Sequence, residues 1–402
     1  MADDRLSLAE AAREIGVSAP TLKRWAESGV IPELRDGQGG WGPAAVSHAR
    51  IVARLRGRGH SLASLREASD QGRLAYGFVE DTFPGREGTH SLEDAAKATG
   101  LEASLIERFW AACGLPPAAL EALSDDDMQA LEYVASVLGA GFPLVAFLQL
   151  SRVYGQTLSQ IADAEVRLFH IYVHEPLMRE GVPGLQMAEE METLAGDLLP
   201  LASPIMDYVH QRFLQHFVEQ DVVGHMEIDL EGGDLGRVRV AIAFCDLAGY
   251  TRFTEEEGEE EALSYVERFV EGVQSTLPES ARVVKTIGDA VMIVGQDLGA
   301  LVDWAVGFNE LFDERPEPRI GIHYGPTLYR DGDYFGREVN LASRVVARAR
   351  GGEVLVTDFV VEQAEDTQHL AFEGIGTVKL KGFDEPRTLC RAVPSAGRQR
   401  PR

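Results

Sequence analysis

Two aspartates that end apolar segments constrain this 402-residue chain more than any other feature. Asp246 follows residues 237–244, in which large apolar residues occupy every second position, as in a β-strand with one apolar face. Asp289 lies within residues 283–294, where the apolar residues on both sides of the centre predict a β-hairpin. If the hairpin pairs with the first strand, the two carboxylates converge. Paired carboxylates suit two divalent ions, which lie roughly 3.5–4 Å apart in two-metal sites.

A glycine-containing turn follows the first aspartate. Residues 248–251 lead from the strand towards a helix whose clearest body is 260–276. A strand-to-helix turn of this kind presents backbone N–H groups that can hold phosphates. The two aspartates and the turn therefore predict a metal-assisted site for a phosphate-bearing ligand. The alternative is that each aspartate only serves the geometry of its own turn.

A basic residue and an amide share one face of a later helix. Asn340 and Arg344 are four residues apart on a helix that is predicted to begin near Glu338. Phosphoryl transfer depends on positioning and on spreading negative charge, so a fixed guanidinium near the phosphoryl group is expected. The alternative is that the arginines of this helix only form a solvated face. This interpretation fits Arg348 better than Arg344.

Three motifs in this order resemble the catalytic domain of the class III nucleotide cyclases over residues 237–394. They are Phe-x-Asp-Leu-x-Gly-Tyr-Thr at 244–251, Lys-Thr-Ile-Gly-Asp-Ala-Val-Met at 285–292 and Val-Asn-Leu-Ala-Ser-Arg at 339–344. The resemblance implies an α+β, ferredoxin-like βαββαβ domain. It also implies an adenylyl cyclase, in which the ribose 3′-hydroxyl of ATP attacks the α-phosphate to give 3′,5′-cyclic AMP and pyrophosphate.

The same resemblance implies a role for each matched residue. Lys285 and Asp333 would read adenine, and guanylyl cyclases typically have Glu and Cys at these positions, which favours ATP as the substrate. The site would be shared by a two-fold homodimer that binds two Mg²⁺ or Mn²⁺ per active site. The implied residues are Asp246, Asp289 and the Leu247 carbonyl for metal; Ala248, Gly249, Tyr250, Thr251 and Lys381 for the phosphates; and Asn340 and Arg344 for the ribose and the transition state.

The N-terminal half is predicted to be helical, with Gly100 as the break between two short helices and with apolar helices over 166–178 and 204–218. Ser7-x-x-Glu10 is a capping box, Gly16 ends the first short helix, and a second helix ends before Gly29, which is helix-turn-helix spacing. Together with a Gly-rich segment that continues to Trp41, this head resembles the winged helix of the MerR family. That resemblance makes DNA a candidate partner of residues 1–80. The alternative is a helix-turn-helix used for packing or signalling.

Charge limits any role in nucleic-acid binding to that head. The net charge is −26, whereas residues 1–80 carry 11 Lys and Arg against 10 Asp and Glu. A nucleic-acid role for the whole chain is therefore disfavoured. Residues 133–150 are apolar, but Gly139, Gly141 and Pro143 interrupt them, so we expect two buried helices rather than a membrane span.

The helical segment after the head resembles the regulatory segment of soluble actinobacterial adenylyl cyclases, including acid-responsive mycobacterial ones. Five histidines between residues 166 and 225, with His170 and His174 on one helical face, raise the hypothesis of regulation by pH, since histidine changes charge between about pH 5 and 8. A small ligand is the other candidate signal. The alternative is that these histidines are polar tips of packed helices.

The whole chain is therefore predicted to be multidomain and cytoplasmic, with a helical N-terminal half and a C-terminal cyclase domain. Its three cysteines are far apart, which disfavours disulfides and zinc sites. The alternative function is a transcription regulator that uses the cyclase domain as a nucleotide sensor. The predicted segments are a winged-helix head (1–80), a helical regulatory and dimerisation domain (81–225), a linker (226–236), the cyclase domain (237–394) and a disordered tail (395–402).

Overall fold

The computed structural model describes residues 5–31, 40–75, 88–182, 184–227, 237–312, 315–364, 367 and 369–395. It divides into two compact units, residues 1–215 and 216–402. Most of the predicted linker, residues 228–236, lies outside the described residues, as do residues 32–39 of the predicted wing and all but the first residue of the predicted tail.

Where the structure describes it, the head consists of four helices around a small apolar core. Ser7 and Glu10 form the predicted capping box, Gly16 ends the first helix in the left-handed conformation, and Trp25 is buried with Trp41. The helix-turn-helix spacing is therefore present, whereas a MerR-like winged helix stays a prediction. The helices are α1 (Leu8–Ile15), α2 (Ala19–Glu27), α3 (Pro43–Gly57) and α4 (Leu62–Asp70).

The next helices follow the predicted breaks. Gly100 separates two short helices, and the Gly-x-Gly-x-Pro turn separates two longer ones, as expected. In the part of the chain that the structure describes, no helix is long and apolar enough to cross a membrane. The elements are α5 (Leu92–Thr99), α6 (Ala103–Ala112), a 3₁₀ turn (Pro117–Glu121), α7 (Asp125–Gly139) and α8 (Leu144–Phe169).

Two predicted short helices turn out to be parts of longer ones. Instead of one helix over 166–178, α8 continues through a π-helical turn (His170–His174) into α9 (Glu175–Arg179). Instead of a helix over 204–218, α10 (Gly184–Glu227) has 44 residues and contains Pro200 and Pro204. Because proline is rare inside helices, the sequence pattern placed the start of this helix at Pro204, too far along the chain.

The second unit is a mixed eight-stranded sheet with helices on both faces. Its strand order is β2-β3-β1-β4-β6-β8-β7, with β5 paired to β4. The first six main elements have the predicted βαββαβ order. They are β1 (Arg237–Leu247), α11 (Tyr250–Glu257), α12 (Glu259–Thr276), β2 (Ala281–Ile287), β3 (Ala290–Gly295), α13 (Leu298–Leu311), β4 (Pro318–Arg330), β5 (Asp333–Phe335), α14 (Arg337–Val346), β6 (Val354–Thr357), α15 (Asp358–Gln363), β7 (Leu370–Val378) and β8 (Arg387–Pro394).

Strand β1 is buried on both faces from Val240 onward, although its sequence predicted one apolar face. Ile242 and Phe244 pack beneath α14 with Met292, as the alternation predicted. The other face carries Ala241 and Ala243, which are fully buried under α12 and α13. Small residues on that face leave room for the aromatic side chains of those helices.

Helix α14 lies unusually close to β4. A Cβ atom built on Gly321 would be 2.1 Å from the backbone nitrogen of Val346, so only glycine fits at this contact. The glycine therefore fixes the distance between the sheet and the helix that carries Asn340 and Arg344.

Replacing Gly321 with alanine is expected to destabilise the second unit by about 2 kcal/mol or more, because the helix backbone must move. Calorimetry of the full-length chain should show the transition of this unit lowered by about 5 °C. Gly374→Ala is the matched control, since a Cβ at this strand position meets nothing within 4 Å. Equal effects of the two substitutions would contradict the close-contact argument.

Candidate active site

The two predicted aspartates meet at the edge where β1 and the β2–β3 hairpin end. In the antiparallel pairing of β1 with β3, Asp246 lies opposite Ala290. Asp289 precedes Ala290 in a two-residue turn that Gly288 makes possible with a φ of 63°. Burial, and then repulsion by the neighbouring Asp246 carboxylate, raise the pKa of Asp289.

An arginine that the sequence did not indicate lies against this pair. Arg319 is opposite Asp246 in the antiparallel pairing of β1 with β4. Its Nε lies 2.9 Å from Oδ2 of Asp246, and a second guanidinium nitrogen contacts the same oxygen. Only the strand register brings these residues together, since they are 73 positions apart in the sequence.

The donor set at this edge fits a divalent cation. Two adjacent carboxylates, one with a raised pKa, have an excess of negative charge that a cation relieves. Carboxylate oxygens are ligands that Mg²⁺ and Mn²⁺ favour. Leu247 ends β1 directly after Asp246, so its carbonyl belongs to the same edge. Among the described residues, no three His, Cys, Asp or Glu side chains are placed to hold one metal ion together, so other oxygens must complete the coordination.

The predicted phosphate turn becomes the start of α11. Gly249 caps this helix in the left-handed conformation, with a φ of 81°. The N–H of Ala248 donates to the carbonyl of Glu317 at 2.9 Å. Tyr250 and Thr251 are in the first helical turn, where N–H groups have no intrahelical acceptor and can bind an anion.

The two predicted base-reading residues contact each other. Lys285 on β2 forms an ion pair with Asp333, the first residue of β5. The other carboxylate oxygen of Asp333 accepts a hydrogen bond from the backbone nitrogen of Tyr334 at 2.8 Å. A ligand that used these two side chains would therefore replace or share an existing ion pair.

A second arginine that the sequence did not indicate lies beside the predicted base-reading pair. Arg282, three residues before Lys285, donates a hydrogen bond to the Tyr334 hydroxyl at 3.2 Å. Its guanidinium carbon lies 5.6 Å from the centre of the Tyr334 ring and 5.2 Å from that of Phe217. The arginine thus holds the residue that follows Asp333.

The remaining predicted residues lie elsewhere on the unit. Asn340 and Arg344 are on the exposed face of α14, whose opposite face is buried against the sheet. Lys381 is exposed in the turn between β7 and β8. Within the residues that the structure describes, no hydrogen bond or ion pair joins Asn340 or Arg344 to Asp246 or Asp289 in one chain.

Two family models match this chain. Residues 30–218 match an adenylate cyclase regulatory domain, and residues 237–390 match the adenylate and guanylate cyclase catalytic domain. The regulatory match begins inside the segment that was predicted as a separate head. It gives no support to a MerR-like assignment.

Curated relatives are similar over most of their length. An adenylate cyclase of Streptomyces coelicolor is 31% identical over 293 residues, which are 71% of this chain and 74% of that protein. An adenylate cyclase of Streptomyces griseus is 30% identical over 69% of each chain. A pH-sensitive adenylate cyclase of Mycobacterium tuberculosis is 29% identical over 89% of this chain and 90% of that protein.

Replacing Arg282 with methionine is expected to weaken nucleotide binding about fivefold, because Tyr334 and Asp333 lose their support; this corresponds to about 1 kcal/mol. Calorimetric titration with an ATP analogue measures the change. Arg268→Met is the matched control, since Arg268 also lies over a tyrosine ring, 5.4 Å from the centre of Tyr265, on α12. Equal binding by the Arg282 variant and the wild type would contradict a role for this contact.

Proposed function

This chain belongs to the class III adenylate cyclases, and we propose that it converts ATP to 3′,5′-cyclic AMP and pyrophosphate by a metal-assisted reaction at a site shared by two copies of the chain. The observation that carries the proposal is the meeting of Asp246 and Asp289 beside the N-terminus of α11. The ribose 3′-hydroxyl gives up its proton to water as its oxygen forms a bond to the α-phosphorus. The bond between the α-phosphorus and the bridging oxygen breaks, and pyrophosphate leaves.

Asp246 and Asp289, with the carbonyl of Leu247, would hold two Mg²⁺ or Mn²⁺. When bound, these ions supply positive charge that lowers the pKa of the 3′-hydroxyl and offsets the charge of the phosphates. Arg319 keeps one oxygen of Asp246 occupied, which leaves the other oxygen and Asp289 to face the ions. The N–H groups of Tyr250 and Thr251 then receive the phosphates.

Lys285 and Asp333 would select adenine over guanine. A lysine donates to ring N1, which is an acceptor only in adenine, and a carboxylate accepts from the 6-amino group. The ion pair between them fixes both side chains before the base arrives. Lys381, in its exposed turn, would contact the triphosphate.

The site requires a second copy of the chain. Asn340 and Arg344 lie on an exposed helix face without a bond to the aspartates of the same chain. In a two-fold dimer the partner would supply these two residues to orient the ribose and to neutralise the α-phosphoryl group. The helices of the first unit offer further contact area, since α8 and α10 expose large apolar side chains, among them Leu158, Val166, Leu168, Ile205, Tyr208 and Phe213.

We assign regulation to the residues before β1. In the predicted division, a head (1–80) and a helical domain (81–225) would act through a linker (226–236) on the cyclase domain (237–394). The alternative, a DNA-binding regulator that uses the cyclase domain as a sensor, is not favoured, because the relatives are named adenylate cyclases over most of their length.

A histidine pair in the π-helical turn gives the proposed pH response a physical basis. Nε2 of His174 lies 3.1 Å from the carbonyl of Gly72, which only accepts, so this nitrogen carries a proton. The Nδ1 atoms of His174 and His170 are 3.1 Å apart, and one proton fits between them. If both Nδ1 atoms carried a proton, two hydrogen-bond donors would face each other. The carboxylate of Glu175 is 3.9 Å from Nε2 of His170.

Burial of His174 determines how the stability of this turn changes with pH. His174 is 1% exposed, and desolvation lowers its pKa below the ordinary value of 6.5. The folded turn therefore resists a proton that the unfolded chain accepts, and its stability falls as the pH drops below about 6.5. Acid conditions thus destabilise the packing around the buried ring, although the hydrogen bond to the Gly72 carbonyl itself favours the charged form.

The shared site predicts complementation between two inactive variants. Purified Asp246→Ala and Arg344→Ala homodimers should each make at least about 100-fold less cyclic AMP from Mn²⁺-ATP than the wild type. Co-expression with two different affinity tags gives the mixed dimer, which contains one intact site. The mixed dimer should recover activity, whereas mixed Asp246→Ala and Asp289→Ala chains should not. Activity in Asp246→Ala alone, or no recovery in the first mixture, would contradict the shared site.

The histidine pair predicts a change in the pH profile of the full-length enzyme. His174→Gln keeps a donor for Gly72 but does not titrate, so activity should vary less between about pH 5 and 8 than in the wild type. His210→Gln, at an exposed position of α10, is the control and should keep the wild-type profile. A profile for His174→Gln that matches the wild type would exclude this pair as the sensor.

A further inference from the structure

A buried histidine lies between the sheet and the helix that carries Asn340 and Arg344. His323, on β4, is 5% exposed. Its Nε2 lies 2.6 Å from Oε2 of Glu338, and its Nδ1 lies 2.9 Å from the hydroxyl of Thr357. Three elements, β4, α14 and β6, thus meet at one imidazole ring.

The partners fix which nitrogen carries the proton. A carboxylate only accepts, so Nε2 of His323 donates to Glu338. Nδ1 then accepts from Thr357, whose hydroxyl can donate. Burial lowers the pKa of His323, which keeps the ring neutral and this arrangement intact. The charged groups around the ring are Glu338 on α14, Asp358 on α15 and Arg387 on β8.

Glu338 occupies the second position of α14, two residues before Asn340 and six before Arg344. Its side chain is mostly buried, and it packs against Gly325 of β4, where a Cβ would lie 3.1 Å from its Cγ. The hydrogen bond from His323 therefore fixes the first turn of the helix relative to the sheet. The buried residues Leu341, Val345 and Val346 hold the rest of the helix by apolar contact alone, which resists sliding less than a directional bond.

We propose that His323 is a positioning residue for the cyclase reaction: through Glu338 it sets the rotation and height of α14, and thereby the placement of Asn340 and Arg344 in the neighbouring subunit's site. The inference rests on the proposed shared site. His323 does not touch the substrate. Its role is to hold the helix that brings the two reacting-site residues to the α-phosphoryl group.

The first test separates positioning from folding by matched substitutions. His323→Gln keeps a donor that can reach Glu338, whereas His323→Asn keeps only a group near Thr357. We expect His323→Asn and His323→Leu to lower kcat at least about tenfold with KM for ATP changed by less than about twofold, since misplacement of transition-state groups affects the rate more than ground-state binding. His323→Gln should retain most of kcat.

His369→Leu is the control, because His369 also pairs with a carboxylate, Asp303 at 2.8 Å, but at an exposed position. Circular dichroism and thermal melting of each variant establish that it is folded. Equal kcat in the Gln and Asn variants, or a loss that appears mainly in KM, would overturn the proposal. A His323→Leu protein that fails to fold leaves the comparison of Gln with Asn to decide.

The second test asks which half of the shared site His323 serves. A mixed dimer of Asp246→Ala with His323→Leu contains one site in which the aspartates come from the His323→Leu chain and α14 comes from a chain with His323 intact. This dimer should recover activity, whereas Arg344→Ala mixed with His323→Leu should not. Recovery in the second mixture, or none in the first, would overturn the proposal. If Asp246→Ala with Arg344→Ala also fails to recover, the shared site itself is wrong, and the kcat comparison still decides the role of His323.

Discussion

The contact between Asp246 and Asp289 is the constraint on which the rest of the second unit depends. Two carboxylates in adjacent strands repel each other, and the fold brings them together because β1 pairs with β3 over six residues. That pairing is stabilised by the apolar side chains that are buried on both faces of β1. Arg319 offsets part of the repulsion. The remaining excess of negative charge is the reason to propose this edge as the site for divalent cations.

Helix α14 depends on the same sheet face. Ile242 and Phe244 of β1 and Met292 of β3 form the apolar surface beneath it. Two residues of β4 then define its position: Gly321 allows the close approach near its C-terminal end, and His323 bonds to its first turn. A steric contact at one end and a polar contact at the other fix a helix more completely than an apolar surface does. This explains how an exposed pair such as Asn340 and Arg344 can be held with the precision that phosphoryl transfer requires.

The sequence predicted the elements whose signals are local. The capping box at Ser7, the glycine break at Gly100 and the hairpin around Gly288 all follow from neighbouring residues, and the structure contains each of them. The features that it did not predict depend on distant pairings. Arg319 and His323 occur in a strand of mixed character, and only the register of β4 with β1 places them beside Asp246 and beneath α14. The length of α10 was missed because its two prolines are ordinary signals of a helix start.

Charge explains why one chain alone makes an incomplete site for the proposed substrate. ATP is a polyanion, and the chain has a net charge of −26, so long-range attraction cannot bring them together. The basic groups near the aspartates are already engaged, Arg319 with Asp246 and Lys285 with Asp333. A nucleotide that binds at this edge therefore meets little free positive charge on the chain that supplies the aspartates. In the proposed reaction the balance would come from divalent ions on the aspartates and from a second chain's Arg344. The two requirements are linked, because metal ions would neutralise the triphosphate and leave the arginine to meet only the charge that develops at the α-phosphoryl group.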